Sequence, residues 1–158
     1  MTPRLRHLGV SLLLAAGLLV SAPSSAVSAP SSADVGSTNA YSRTAFTLSN
    51  RARADHDLPT LRGNACLRKA ALRQAKKIRR DQELSHQDLG RIQRDCSVGY
   101  VGENVAYGYP TGRSVVEGWM SSPGHRANIL GENYTHLGVA AVKDTEGRWW
   151  AVQVFGSR

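Results

Sequence analysis

Two imidazoles and a carboxylate carry the most suggestive chemistry in this 158-residue chain: His86, Glu103 and His125. Neutral imidazole nitrogens and a carboxylate oxygen are donors that a zinc-type ion takes, with water as a fourth ligand. His86 and His125 are 39 residues apart, so no local motif such as H-E-x-x-H joins them. By spacing alone each is an ordinary surface or internally satisfied histidine, and Glu103 is a solvated carboxylate. The surrounding residues argue for more. They read Ser85-His86, then Gly102-Glu103-Asn104-Val105, then Trp119-Met120-Ser121-Ser122-Pro123-Gly124-His125-Arg126-Ala127-Asn128-Ile129-Leu130.

The sequence offers no ready nucleophile. Ser85 and Ser122 neighbour the histidines, but a serine becomes a nucleophile only with the right geometry, and no G-x-S-x-G elbow is present. Cys66 and Cys96 are the only cysteines, and no C-x-x-C motif is present. An even count in an exported chain argues for one disulfide, worth about 3–4 kcal/mol in the chain-entropy model. Two buried free thiols are the alternative.

G-E-N followed by W-M-x-S-x-G-H-R-x-N-I-L resembles the CAP superfamily. These are secreted domains that include cysteine-rich secretory proteins, insect venom antigens, plant pathogenesis-related proteins and many bacterial relatives. The resemblance spans about Tyr41 to Phe155, with Asn50 and Arg53 matching an N-x-x-R at the end of the family's first helix. It implies that His86, Glu103 and His125 line one cleft. In the family the matching histidines and glutamates face a shared cavity, and some members hold a divalent ion there. Animal-like members have W-x-x-E, which puts a carboxylate where this chain has Ser122. Glu117 is the nearby acid, but on a helix positions 117 and 122 point about 140° apart. The cleft is therefore His86, Glu103 and His125, or that set with Glu117. Asn104 is expected to fix the loop through backbone hydrogen bonds, and Arg126 to hold an anion or cap a carbonyl.

Before any domain, residues 1–26 read as a signal peptide. Arg4, Arg6 and His7 precede an uncharged apolar run from Leu8 to Val20, and Ser24-Ser25-Ala26 offers a small-residue cleavage site. The run is shorter than the roughly 20 residues a membrane span needs, so no transmembrane anchor is expected after cleavage. Residues 27–38 form a Ser/Ala/Pro linker too poor in large apolar groups to order itself. The domain is expected over residues 39–158, enough chain for one hydrophobic core. Net charge is +8, and +6 once Arg4 and Arg6 are removed. Eight basic residues and no acid lie between Arg62 and Arg80, so the basicity is local.

The elements that must position the cleft follow from periodicity. Tyr41, Ala45, Leu48 and Ala52 keep helical spacing over about 39–54. Leu67, Ala70, Ala71, Gln74, Ala75 and Ile78 share an arc of about 140° over 64–81, with lysines and arginines opposite. Ser114 and Glu117 spell an S-x-x-E capping box for a third helix, and Pro123 favours a short fourth one. A hairpin is expected from Leu137–Lys143 and Arg148–Phe155. Its last strand carries Trp150, Val152 and Val154 on one face and Trp149, Ala151 and Phe155 on the other. Such a sheet must be covered on both sides. With a third strand near 100–106, the expected fold is α+β, a three-layer α-β-α sandwich with a small antiparallel sheet. The family resemblance implies the same fold.

These readings point to a secreted, extracellular monomer that binds a ligand at the His/Glu cleft, either a lipid, a glycan or an anionic cell-envelope polymer. A divalent, zinc-like metal is the expected cofactor, with His86, His125 and Glu103 as ligands. A nucleic-acid partner is not expected, because the basic helix lacks interleaved aromatics and any recognised motif. Metal-assisted hydrolysis in the same cleft is the alternative, since a zinc-bound water needs no protein nucleophile.

Overall fold

The computed structural model describes residues 38–157. The signal peptide expected at 1–26 and the linker expected at 27–38, apart from Thr38, lie outside the described residues. The chain runs α1 (Thr38–Ala54), β1 (Arg62–Gly63), α2 (Ala65–Asp81), α3 (Leu89–Cys96), β2 (Val101–Tyr107), α4 (Gly112–Ser121), α5 (Pro123–Ile129), β3 (His136–Lys143) and β4 (Trp149–Gly156). Among the described residues no helix is long and apolar enough to cross a membrane.

The sheet order is β1-β3-β4-β2. β4 lies at its centre, antiparallel to both neighbours, with Gln153 opposite Val139 on β3 and Asn104 on β2. β1 adds two residues parallel to β3, pairing Arg62 with His136 and Gly63 with Leu137. The sheet is therefore mixed. A two-residue strand is too short to announce itself by alternation.

Alternation along β4 divides the core. Trp149, Ala151 and Phe155 pack with Tyr41 and Ala45 of α1, Val115 and Trp119 of α4, and Ile129 of α5. Trp150, Val152 and Val154 pack with Leu67, Ala71 and Ile78 of α2 and Ile92 of α3. This is the three-layer sandwich. The alanine stripe of α2 lets that helix lie against β3 so closely that a Cβ on Gly138 would collide with the backbone of Leu67 and Arg68. Asn64 caps α2, its side chain accepting from the amides of Cys66 and Leu67.

Two local expectations are corrected. α4 begins one turn earlier than the S-x-x-E pattern suggests. Its capping box is Thr111–Ser114, in which each side-chain oxygen accepts from the other's amide. Ser114 is the third helical residue, and Glu117 plays no part in the cap. The eight-residue α3 has no counterpart in the periodicity reading. Asp88 caps it, and the Cys66–Cys96 disulfide ties its last residue to the first turn of α2.

Candidate functional site

The outer edge of β2 builds the site. Narrow pairs with β4 at Gly102, Asn104 and Ala106 turn Glu103 and Val105 outward. Glu103 is followed on this edge by the loop between α2 and α3, which brings His86 onto it. The Glu103 side chain is 0% exposed and that of His86 60% exposed, and His86 Nδ1 donates to Glu103 Oε1 at 2.7 Å. The Gln87 backbone amide also donates to Oε1, at 3.2 Å, and the Gln87 side-chain amide donates to Oε2. A buried carboxylate is costly unless hydrogen-bonded, and these three donors supply its partners. The same contact puts the His86 proton on Nδ1 and leaves Nε2 free as an acceptor.

His125 comes from α5, a short helix started by Pro123. A buried polar network holds its backbone. Asn104 Nδ2 donates to the His125 carbonyl and to Gln153 Oε1, both at 3.1 Å. Gln153 donates in turn to Ser49 Oγ on α1 at 2.6 Å. Asn128 donates to Asn104 Oδ1 at 2.9 Å and to the Glu103 carbonyl at 3.0 Å. Asn104 thus joins the strand bearing Glu103 to the helix bearing His125. From the other end of α5, buried Arg53 donates to the carbonyls of Ile129, Gly131 and Pro59. Its partners are all carbonyls, and it lies where the helix dipole of α5 is negative.

Burial, and then the nearby charge of His86, lower the pKa of His125. His86 is therefore close enough to His125 for its charge to act on that ring. Among the described residues no group of three His, Cys, Asp or Glu is arranged to hold a metal. Both Glu103 oxygens are engaged by His86 and Gln87, so the donors left without a partner among the described residues are His86 Nε2 and the His125 ring. Glu117 is exposed on α4, and its carboxylate makes no ion pair among the described residues. Arg126 reaches His56, donating to Nε2 at 2.9 Å, while His56 Nδ1 donates to the Ala52 carbonyl. Beside His86 lies a cavity of about 390 Å³, lined by Arg73, Lys77, Gln87, Asp88 and Arg91 among others. Gln74 holds the loop in place by donating to the Ser85 carbonyl.

Sequence reasoning did not single out Gln87, Asn128, Gln153 or Ser49. Gln153 had a readable signal, a single amide within the apolar run Trp149–Phe155. Asn128 is a fixed position of the W-M-x-S-x-G-H-R-x-N-I-L motif, while Gln87 and Ser49 act through contacts that no spacing rule reports.

Residues 46–155 match the model of the cysteine-rich secretory protein family, CAP. Over 136 residues the chain is 34% identical to YkwD of Bacillus subtilis, an uncharacterised protein, covering 82% of this chain and 50% of that one. It is also 34% identical over 99 residues to YlbC, an uncharacterised membrane protein of the same bacterium, and covers 29% of it. The chain thus spans half or less of the curated relatives it matches. It is similar to the crystal structure of an extracellular protein containing an SCP domain from Bacillus anthracis. That match is 30% identical with a TM-score of 0.68, over 77% of this chain and 41% of that one. An outer surface protein of Borrelia burgdorferi shares the fold at 24% identity and a TM-score of 0.70, over 77% of this chain and 96% of that one.

Proposed function

Because the chain belongs to the cysteine-rich secretory protein family, we propose that it is a secreted binding domain. Its His86–Glu103–His125 cleft takes an anionic ligand of the cell envelope, a polymer or a lipid headgroup. The carrying observation is the buried Glu103 carboxylate holding an exposed imidazole beside a cavity with a cationic rim. Arg73 makes no ion pair among the described residues, while Lys77 and Arg91 share theirs with exposed Asp81 and Asp95. Such surface pairs hold their partners weakly, so the rim remains attractive to a polyanion, in a salt-dependent way.

A zinc-type ion bound here would take His86 Nε2 and His125 as its protein donors. Glu103 serves that ion through His86, fixing its tautomer and orientation, as carboxylates commonly do for metal-binding histidines. When bound there, the metal supplies Lewis-acid polarisation. With only two protein donors the ion is weakly held. Its affinity requires neutral imidazole. The depressed pKa of His125 keeps that ring neutral to below about 6.5, the usual histidine value, and affinity falls as pH drops further.

Calorimetry with zinc at pH 7.5 tests the reading. Wild type releases binding heat, and His86→Ala or His125→Ala abolishes it without unfolding the domain. An absent wild-type signal, or an equal loss in His56→Ala, rejects the metal site. Metal-assisted hydrolysis is tested on the same protein with peptide, ester and phosphoester substrates. Turnover that requires zinc and disappears in His125→Ala would replace the binding reading.

A further inference from the structure

The opposite edge of the sheet carries a second site. We infer that the outer edge of β3 receives an extended acidic peptide as an added strand, continuing the line that β1 begins. β1 donates from Arg62 to the Thr135 carbonyl, and the Asn64 amide donates to the Leu137 carbonyl. Odd-numbered residues of β3 therefore face outward. β1 stops at Gly63, and the next outward residue is Val139. Among the described residues, neither its outward amide nor its outward carbonyl has a hydrogen-bond partner. An unmet backbone pair at a strand edge is a template for another strand.

The space above that pair fits such an occupant. A cavity of about 520 Å³ opens there between α1 and α2, with Leu137, Gly138 and Val139 as its floor. Phe46 supplies an apolar wall, and Arg43 and Arg68 flank it from the two helices. Neither guanidinium has a hydrogen bond or ion pair among the described residues. No acidic side chain lines this cavity. Two cations, one from each helix layer, select acidic side chains at adjacent positions, which the strand period of two points to opposite faces of the incoming peptide.

The other edge of the same sheet supports this assignment. The outward carbonyls of Glu103 and Val105 on β2 are capped by Asn128 at 3.0 Å and by the Trp119 indole at 3.4 Å. The protein caps the outward carbonyls of one edge with its own side chains and leaves that of Val139 without such a cap.

The probe is acetyl-Val-Glu-Asp-Val, titrated into the 15N-labelled protein. The Val139 amide is expected to shift, with binding that weakens as salt rises. Arg43→Gln and Arg68→Gln should each weaken affinity by about two- to five-fold, the range of a solvent-exposed ion pair. The same peptide N-methylated at alternate amides should not bind, nor should a version with lysine in place of its acids. These controls leave the protein's own fold untouched. A silent Val139 amide at millimolar peptide overturns the proposal, as does equal binding of the N-methylated probe. Decanoate moving that amide at lower concentration than the peptide would assign the groove to an amphiphile. Self-association at the concentrations used, moving the same amide, would assign it to a second copy of the chain. Either outcome overturns the peptide proposal.

Discussion

The two outer edges of the sheet treat the same liability in opposite ways. At β2 the outward carbonyls are capped internally by Asn128 and Trp119, and His86 and Gln87 engage the Glu103 carboxylate. At β3 the short β1 covers only the first two residues, and the guanidinium groups of the flanking arginines have no partner among the described residues. Polar groups that find partners inside the protein fix geometry, as the β2 edge does for His86 and His125. Groups left without partners supply binding capacity and impose little order. An edge strand has to be paired, covered or blunted, and this fold covers one side far more completely than the other.

The largest expected difference between the edges is in stability. Asn104→Ala removes the centre of the buried network and leaves Gln153 and Asn128 short of a partner. Its expected cost is about 3 kcal/mol, since stranded buried groups lose their full hydration, and urea unfolding measures it. A loss below 1 kcal/mol would mean the network does not hold α5 in place. Next, Glu103→Gln keeps the size of the side chain but removes the charge that orients His86. Zinc affinity should fall roughly tenfold, read by calorimetry, with α5 still attached. The smallest effect belongs to the open edge. Arg43→Gln and Arg68→Gln should each change unfolding free energy by about 0.5 kcal/mol or less. A larger loss from either would give that edge an internal role and erase the contrast.

The covered layers were legible because burial there repeats with a period. The stripe on α2 and the two faces of β4 follow from sequence spacing alone, and both cores contain the residues expected of them. α3 was illegible because Leu89, Ile92 and Cys96 are its only apolar residues. It is held by a bridge to α2 and by packing, and eight residues are too few for periodicity to register. The candidate cleft was visible only through the motif resemblance, since His86, Glu103 and His125 are brought near one another by tertiary contacts. Asn104 was expected to fix a loop, and it bonds the His125 backbone. Its partners Gln153 and Asn128 lie 49 and 24 residues away from it in sequence, and Ser49, which Gln153 bonds in turn, lies 55 away, beyond any local rule.

The Cys66–Cys96 bridge spans a sequence separation of 30 and encloses the whole segment that carries His86. Leu84, two residues before that histidine, is among the exposed large apolar side chains and offers a protease an obvious foothold. One cut at that point opens the ring without releasing either piece. The fragment bearing α2 stays joined through sulfur to the fragment bearing α3 and the rest of the sheet. The bridge makes a single nick there a change of connectivity and not a loss of parts.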